Sequence, residues 1–329
     1  MKARTFGRFT RYVALAAVLG LAAGAAQAQP LKKIDIVVFS APSLGAFLPP
    51  VIKARKIDEA NGLDIGFQTR TPDAYATQFN GGEFQVGGSA ALLTVGLADL
   101  RGLKVSYLFN LFDFWGAVVT GRPEIKTLAD LQGKQLAAAR GTTNFVMVDW
   151  FARQQKVDMS KVEVINTATP GLIGYALADR ADAVQLWEPG YSMLIAQKPS
   201  LRTLDLDMPK QWRAFAGGDK IPYLGVAAHA AWVEKNQAVL PALYRTYKQA
   251  AEWVAANPAA AAKLISPKAE GPALAVLEQL IRDNSRLGMN VKPAGELRTE
   301  IEAVYRAGQS IGYLPKAPSA GSIYAGRLE

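Results

Sequence analysis

The chain has 329 residues, 50% of them hydrophobic, enough for two domains of ordinary size. It has no cysteine and one histidine, His229, which excludes disulfides, thiolate metal sites, cysteine nucleophiles and a lipid-modified N-terminal cysteine, and leaves histidine-based acid–base schemes little to work with. Of 37 basic residues against 28 acidic ones, four (Lys2, Arg4, Arg8, Arg11) stand in the first twelve positions; the rest are spread without the clustered basic face that nucleic-acid binding needs.

The N-terminus reads as a secretory signal. A basic region ends at Arg11, and Val13 to Ala26 is an apolar run of 14 residues, shorter than the roughly 20 a spanning helix needs. Ala26-Gln27-Ala28 supplies small residues at cleavage spacing, so residues 1–28 are expected to be removed and the mature chain to start near Gln29. No other apolar run is long enough to span a bilayer. An exported chain with no lipid attachment is expected in a periplasm.

From there the chain repeats one plan. Ile34 to Phe39 is an apolar strand, followed by the loop SAPSLGAF and a helical stretch through Ala60. Leu63 to Thr69 is a second strand, Pro72 to Asn80 a polar helix, Phe84 to Gly87 a third strand, and Gly88-Ser89-Ala90 a loop before a helix through Ala98. Val105 to Thr120 reads as extended strands around an aromatic loop, Phe109 to Trp115, forming the first crossing between domains. The second copy has strands at Leu136 to Ala139, Val162 to Asn166 and Ala183 to Trp187, with a helix from about Gly171 to Ala178. Strand starts are separated by 29 and 21 residues in the first copy and by 26 and 21 in the second. Tyr223 to Ala227 is the expected return crossing. Helical patterns follow at Ala230 to Lys235, Leu240 to Asn257, Ala273 to Leu287 and Glu296 to Ile311.

Alternating strands and helices predict an α/β fold of two doubly wound lobes joined by a two-crossing hinge. The expected divisions are 29–111 for the first part of lobe 1, 112–222 for lobe 2 with the hinge, and 223–329 for the return crossing and tail helices packing on lobe 1. In such sheets the ligand sits beyond the carboxyl ends of the strands. The turn Arg140-Gly141-Thr142-Thr143 is the clearest candidate. Thr142 or Thr143 caps the following helix, and its free N–H groups and dipole can receive a small anion. A capped turn with nothing bound is the plainer alternative.

Ile125 to Thr143, IKTLADLQGKQLAAARGTT, resembles the signature stretch of the NitT/TauT family, with its thiamine-pyrimidine-synthase-like relatives. GGEFQVGGS at Gly81 to Ser89, Trp187-Glu188-Pro189, and Trp232 to Asn236 extend the resemblance over nearly the whole mature chain. It implies a type II periplasmic binding fold and a role in capturing a small solute and delivering it to an inner-membrane ABC permease. The chain is expected to act as a monomer and to carry no cofactor.

The matching loops then supply the expected ligand contacts: Ser40, Ser43 and Leu44; Gly88, Ser89 and Ala90; Gly141, Thr142 and Thr143; Trp187 and Glu188. Hydroxyls and helix amides suit a sulfonate- or carboxylate-like group on an organic anion or zwitterion. Trp187 can stack on the ligand body; Glu188 either pairs with an amino group or caps the next helix; Arg140 either assists an anion or faces solvent. Phe112, Phe114 and Trp115 either roof the cleft or, more in keeping with a domain junction, pack. The alternatives in function are a thiamine-pyrimidine-related binding protein or enzyme, and a ligand-sensing subunit for a receptor. Histidine chemistry in the enzyme reading would rest on His229 alone, which is expected to be a surface or capping residue.

Overall fold

The computed structural model describes residues 30–167 and 169–329. The segment expected to be a secretory signal, with its expected cleavage position, lies outside the described residues. Strand β1 (Lys32–Phe39) is followed by helices α1 (Pro49–Ala54) and α2 (Ile57–Ala60), then β2 (Leu63–Arg70), α3 (Pro72–Asn80), β3 (Val86–Ala91), α4 (Leu92–Leu100) and β4 (Val105–Asp113). The chain continues through β5 (Ala117–Thr120), β6 (Gln135–Ala138), α5 (Thr143–Gln154), β7 (Glu163–Asn166), α6 (Thr169–Leu177), β8 (Ala183–Leu186), α7 (Gly190–Gln197), β9 (Arg202–Leu204) and α8 (Met208–Ala216). It ends with β10 (Pro222–His229), α9 (Ala230–Lys235), α10 (Leu240–Ala256), α11 (Pro258–Ile265), α12 (Gly271–Asp283), β11 (Met289–Pro293) and α13 (Arg298–Ser310).

These strands make two sheets, ordered β11-β4-β10-β3-β1-β2 and β7-β6-β8-β5-β9. The repeat read from the sequence is visible in them. β1 runs parallel to both β2 and β3, as β6 does to β7 and β8, and each third strand is flanked by an antiparallel crossing strand, β10 or β5. β4 and β5 follow each other in the chain yet belong to different sheets, so the chain crosses at Phe114–Gly116. It returns after α8, where Gly217, at φ 78°, takes the left-handed conformation that closes the helix by bonding Arg213 O. The crossings are tied together, because Phe114 N–H donates to Ile221 O at 2.7 Å. Lys32–Glu329 forms one compact unit.

Side-chain alternation explains the layers. Leu136 and Ala138 join the main core, whereas Ala137 and Ala139 join a smaller cluster with Val184, Leu186 and Leu172; successive residues of β6 therefore serve opposite faces. The main core runs without a break from Ile34, Ile36 and Val38 through Phe109 and Phe112 to Trp150 and Trp212.

The third strand differs from the sequence expectation. It spans Val86–Ala91, so Gly88, Ser89 and Ala90 lie on the strand and are buried instead of forming a loop. Close packing is the reason. A methyl group on Gly87 would overlap the Tyr75 hydroxyl, and one on Gly88 would lie 2.9 Å from the Tyr247 hydroxyl and 3.0 Å from Ile36 and Val38. Two helices, α3 and α10, thus drive tyrosines into the strand where glycines leave room. Three smaller differences have local causes. The first helix is split at Lys56, which has φ 53°. The aromatic loop is mostly strand, since Phe109 to Asp113 belong to β4. The helix expected to reach Leu287 stops at Asn284, a left-handed cap with φ 52°, and leaves residues 285–288 as a turn.

Candidate functional site

Three segments converge beyond the strand ends. The first is the loop after β1. Ser40 N–H bonds Arg70 O at 2.8 Å, and Ser89 Oγ accepts from Phe39 N–H at 2.8 Å. Gly45 lies so close to Ser89 that a side chain there would collide with its hydroxyl. Ser89 therefore pins the loop from below. Held this way, the loop leaves Ser43 Oγ buried without a hydrogen-bond partner.

The second segment is the turn from β8 into α7. Glu188 is 1% exposed. Its carboxylate accepts from Ser192 N–H at 3.1 Å and from Ser192 Oγ at 2.8 Å, capping the first turn of α7. The third is the tail from α11 to the turn after α12. Arg286 Nε lies 3.0 Å from Glu188 Oε1 but lacks hydrogen-bond alignment, so the contact is an ion pair. Its Nη2 donates to Ser192 Oγ at 3.4 Å, and its guanidinium stacks 5.9 Å from Trp115 and 5.5 Å from Tyr191. Arg286 precedes β11 of the six-stranded sheet, while Glu188 and Ser192 follow β8 of the five-stranded one; the pair therefore bridges the two sheets. Burial pushes the Glu188 carboxyl above its usual range, against the opposing pull of Ser192 and Arg286.

These segments enclose a cavity of about 80 Å³. Ala41, Pro42, Ser43, Ala46 and Phe47 line it from the β1 loop; Pro189, Ser192 and Met193 from the α7 turn; Ile265, Ser266, Ala273, Val276, Leu277 and Leu280 are among its α11–α12 wall. No lining residue is charged. A wider apolar groove of about 310 Å³, reached past Ala41, Ala46 and Ile265, adjoins it.

Of the expected contacts, Ser43 lines this cavity and Glu188 backs it through Ser192. Leu44 is buried beneath the loop, and Ser40 is exposed. Gly88, Ser89 and Ala90 are enclosed in the six-stranded sheet. Gly141 is exposed; Thr142 caps α5, accepting from Phe145 N–H at 3.2 Å and donating to Ala139 O at 2.8 Å. Thr143 is buried with its hydroxyl unpartnered, beside Asn144, whose Nδ2 donates to Tyr223 at 2.6 Å. Gln185 Nε2 is likewise buried and unpartnered, its Oε1 accepting from Ala139 N–H at 3.3 Å. Arg140 is exposed, and Trp187 is half-buried against the smaller core cluster. Phe112 and Phe114 pack, the latter 6.0 Å from both Phe151 and Tyr223; Trp115 meets Tyr191 at 4.8 Å beside Arg286. His229 occupies the cap position of α9 but makes no cap bond; its Nε2 lies 2.7 Å from Phe79 O.

Sequence reading missed Ser192, Met193, the α11–α12 wall and Arg286. A carboxylate followed by serine four positions on was a legible cap signal for Ser192. Nothing local announced Arg286, which stands 94 residues after Ser192.

Among curated proteins none matches the chain. Solved structures do. The periplasmic aliphatic sulphonate binding protein of Escherichia coli is 17% identical, with a TM-score of 0.69, over 87% of this chain and 95% of that one. The alkanesulfonate-binding protein of Xanthomonas axonopodis pv. citri, bound to MOPS, is 16% identical, with a TM-score of 0.72, over 89% and 98%. A Candida albicans gene product described as having the generic periplasmic binding protein fold is 15% identical, with a TM-score of 0.64, over 91% and 98%. The NMT1/THI5-like family matches residues 59–261. The chain belongs to the NMT1/THI5-like family and has the periplasmic binding protein fold, in agreement with the resemblance carried by residues 125–143.

Proposed function

We propose that this chain is a periplasmic solute-binding protein, not an enzyme, that captures a small organic molecule bearing a sulfonate- or carboxylate-like group and delivers it to an inner-membrane ABC permease. The observation that carries this reading is the cavity itself. Its walls come from loops beyond the carboxyl ends of β1 and β8, one from each sheet, which is where open α/β sheets bind ligands. Ser43, with its free buried hydroxyl, is the polar contact from the first wall. Solved structures of the same fold, named as sulfonate-binding proteins, support the ligand class.

In this reading the two sheets belong to two lobes, 29–111 with 223–329 and 112–222. They hinge at the crossings around Phe114–Gly116 and Gly217–Ile221 and close on the ligand. The chain acts as a monomer after residues 1–28 are removed on export. His229, tied to Phe79 O, has no part in the site. Among the described residues no helix is long and apolar enough to cross a membrane.

Thermal melting against short sulfonates, carboxylates and amino acids tests the proposal. A true ligand at about 100 times its dissociation constant stabilises the native state by roughly 2.7 kcal/mol. Filling the cavity with Ala46→Phe removes that shift. A shift that survives Ala46→Phe places the ligand elsewhere.

A further inference from the structure

The two members of the Glu188–Arg286 pair stand in unlike surroundings. Glu188 is 1% exposed, its carboxylate is held by Ser192, and Arg286 is its one ion-pair partner among the described residues. The Arg286 side chain is 38% exposed and rests against Trp115 and Tyr191 as well as Glu188. They also come from different halves. Glu188 follows β8 of the five-stranded sheet, and Arg286 precedes β11 of the six-stranded one, next to the place where α12 packs on α7. The halves therefore meet around a buried carboxylate. Enclosing that carboxylate alone is costly, because nothing replaces its lost hydration. A partly exposed guanidinium beside two aromatic rings loses far less when its partner goes.

We infer that Arg286 is a positioning residue for closure: its charge lets the two halves come together over the cavity with Glu188 ionised, whereas Arg286 takes its place without needing Glu188. The pair is lopsided, not a symmetric clamp. Arg286 reaches the cavity wall through Glu188 and Ser192, which lines it. This rests on the two hinged lobes of the solute-binding reading and not on which solute they hold.

Spin-label distance measurement by pulsed electron resonance tests it without a ligand. The chain has no cysteine, so Thr71→Cys and Arg140→Cys, exposed in the turns after β2 and β6, put one label on each half. The wild type is expected to populate a short, closed distance beside a longer one. At neutral pH, Arg286→Gln should lower the ratio of short to long roughly tenfold. Glu188→Gln, which keeps an acceptor oxygen for Ser192, should keep the wild-type ratio, and so should the double variant Glu188→Gln/Arg286→Gln. Opening of Glu188→Gln to the same degree as Arg286→Gln overturns the inference and makes the pair an ordinary clamp. Closure of Arg286→Gln to the wild-type ratio also overturns it. Either result leaves the hinge intact. A single unchanging distance in every protein contradicts the hinge as well. Glu188→Gln separates the lopsided pair from the clamp even where Arg286→Gln fails to fold.

Discussion

Two turns of the five-stranded half invite comparison, the one from β6 into α5 and the one from β8 into α7. Both follow parallel strands and both start with a side chain capping the helix. The first closes on itself: Thr142 accepts from Phe145 N–H and donates to Ala139 O, all within the stretch Ala139 to Phe145. The second is completed from outside, because Glu188 caps α7 through Ser192 and then meets Arg286 from the far side of the cavity. A self-contained cap is legible in sequence and says little about function. A cap whose carboxylate is matched by a distant cation marks where the two halves meet.

The largest test of this contrast removes the distant partner. Arg286→Gln leaves Glu188 buried and unpaired. Since Arg286 is partly exposed, a loss of about 2–3 kcal/mol is expected in urea unfolding at neutral pH. The loss shrinks toward pH 4 as Glu188, already raised by burial, takes a proton.

Next comes the crossing that adjoins this turn. Asp113, at the end of β4, accepts from Asn290 and Asn110, with Lys220 at 4.0 Å, yet burial pushes its carboxyl from 3.8 to about 6. The folded state therefore favours the protonated form. The stabilisation is present below about pH 4 and is lost as pH rises through about 6. That amounts to roughly 2 kcal/mol between pH 4 and 7, and Asp113→Asn should flatten that part of the stability–pH curve.

In the self-contained turn the effects are smaller. Thr142→Ala loses one cap and should cost about 1 kcal/mol by denaturant unfolding. Gly141→Ala should stay within about 0.5 kcal/mol, because an added methyl meets nothing within 4 Å and no positive φ is required. A larger loss at Gly141 than at Arg286 would reverse the comparison.

The same contrast explains what sequence could foretell. The repeated strand spacing, the helix Pro72–Asn80 and the crossing strands follow from local pattern and were legible. The third strand was not. Gly87, Gly88, Ser89 and Ala90 carry weak strand propensity, and their small size is set by Tyr75 and Tyr247 arriving from other helices. The site divides likewise. Ser43 and Glu188 sit in turns that pattern identifies. Arg286 reads as one more residue of a helix until Asn284 ends that helix and releases the following turn toward α7. The wall from α11 and α12 depends on where the tail folds back, which no local pattern encodes.

The most direct measurement is a crystal structure of the protein with whichever panel compound stabilises it. The account predicts ligand density in the cavity between Ser43 and Ser192, against the α11–α12 wall, with the α5 N-terminus at Thr142 and Thr143 unoccupied. Density at that N-terminus and an empty cavity would contradict it.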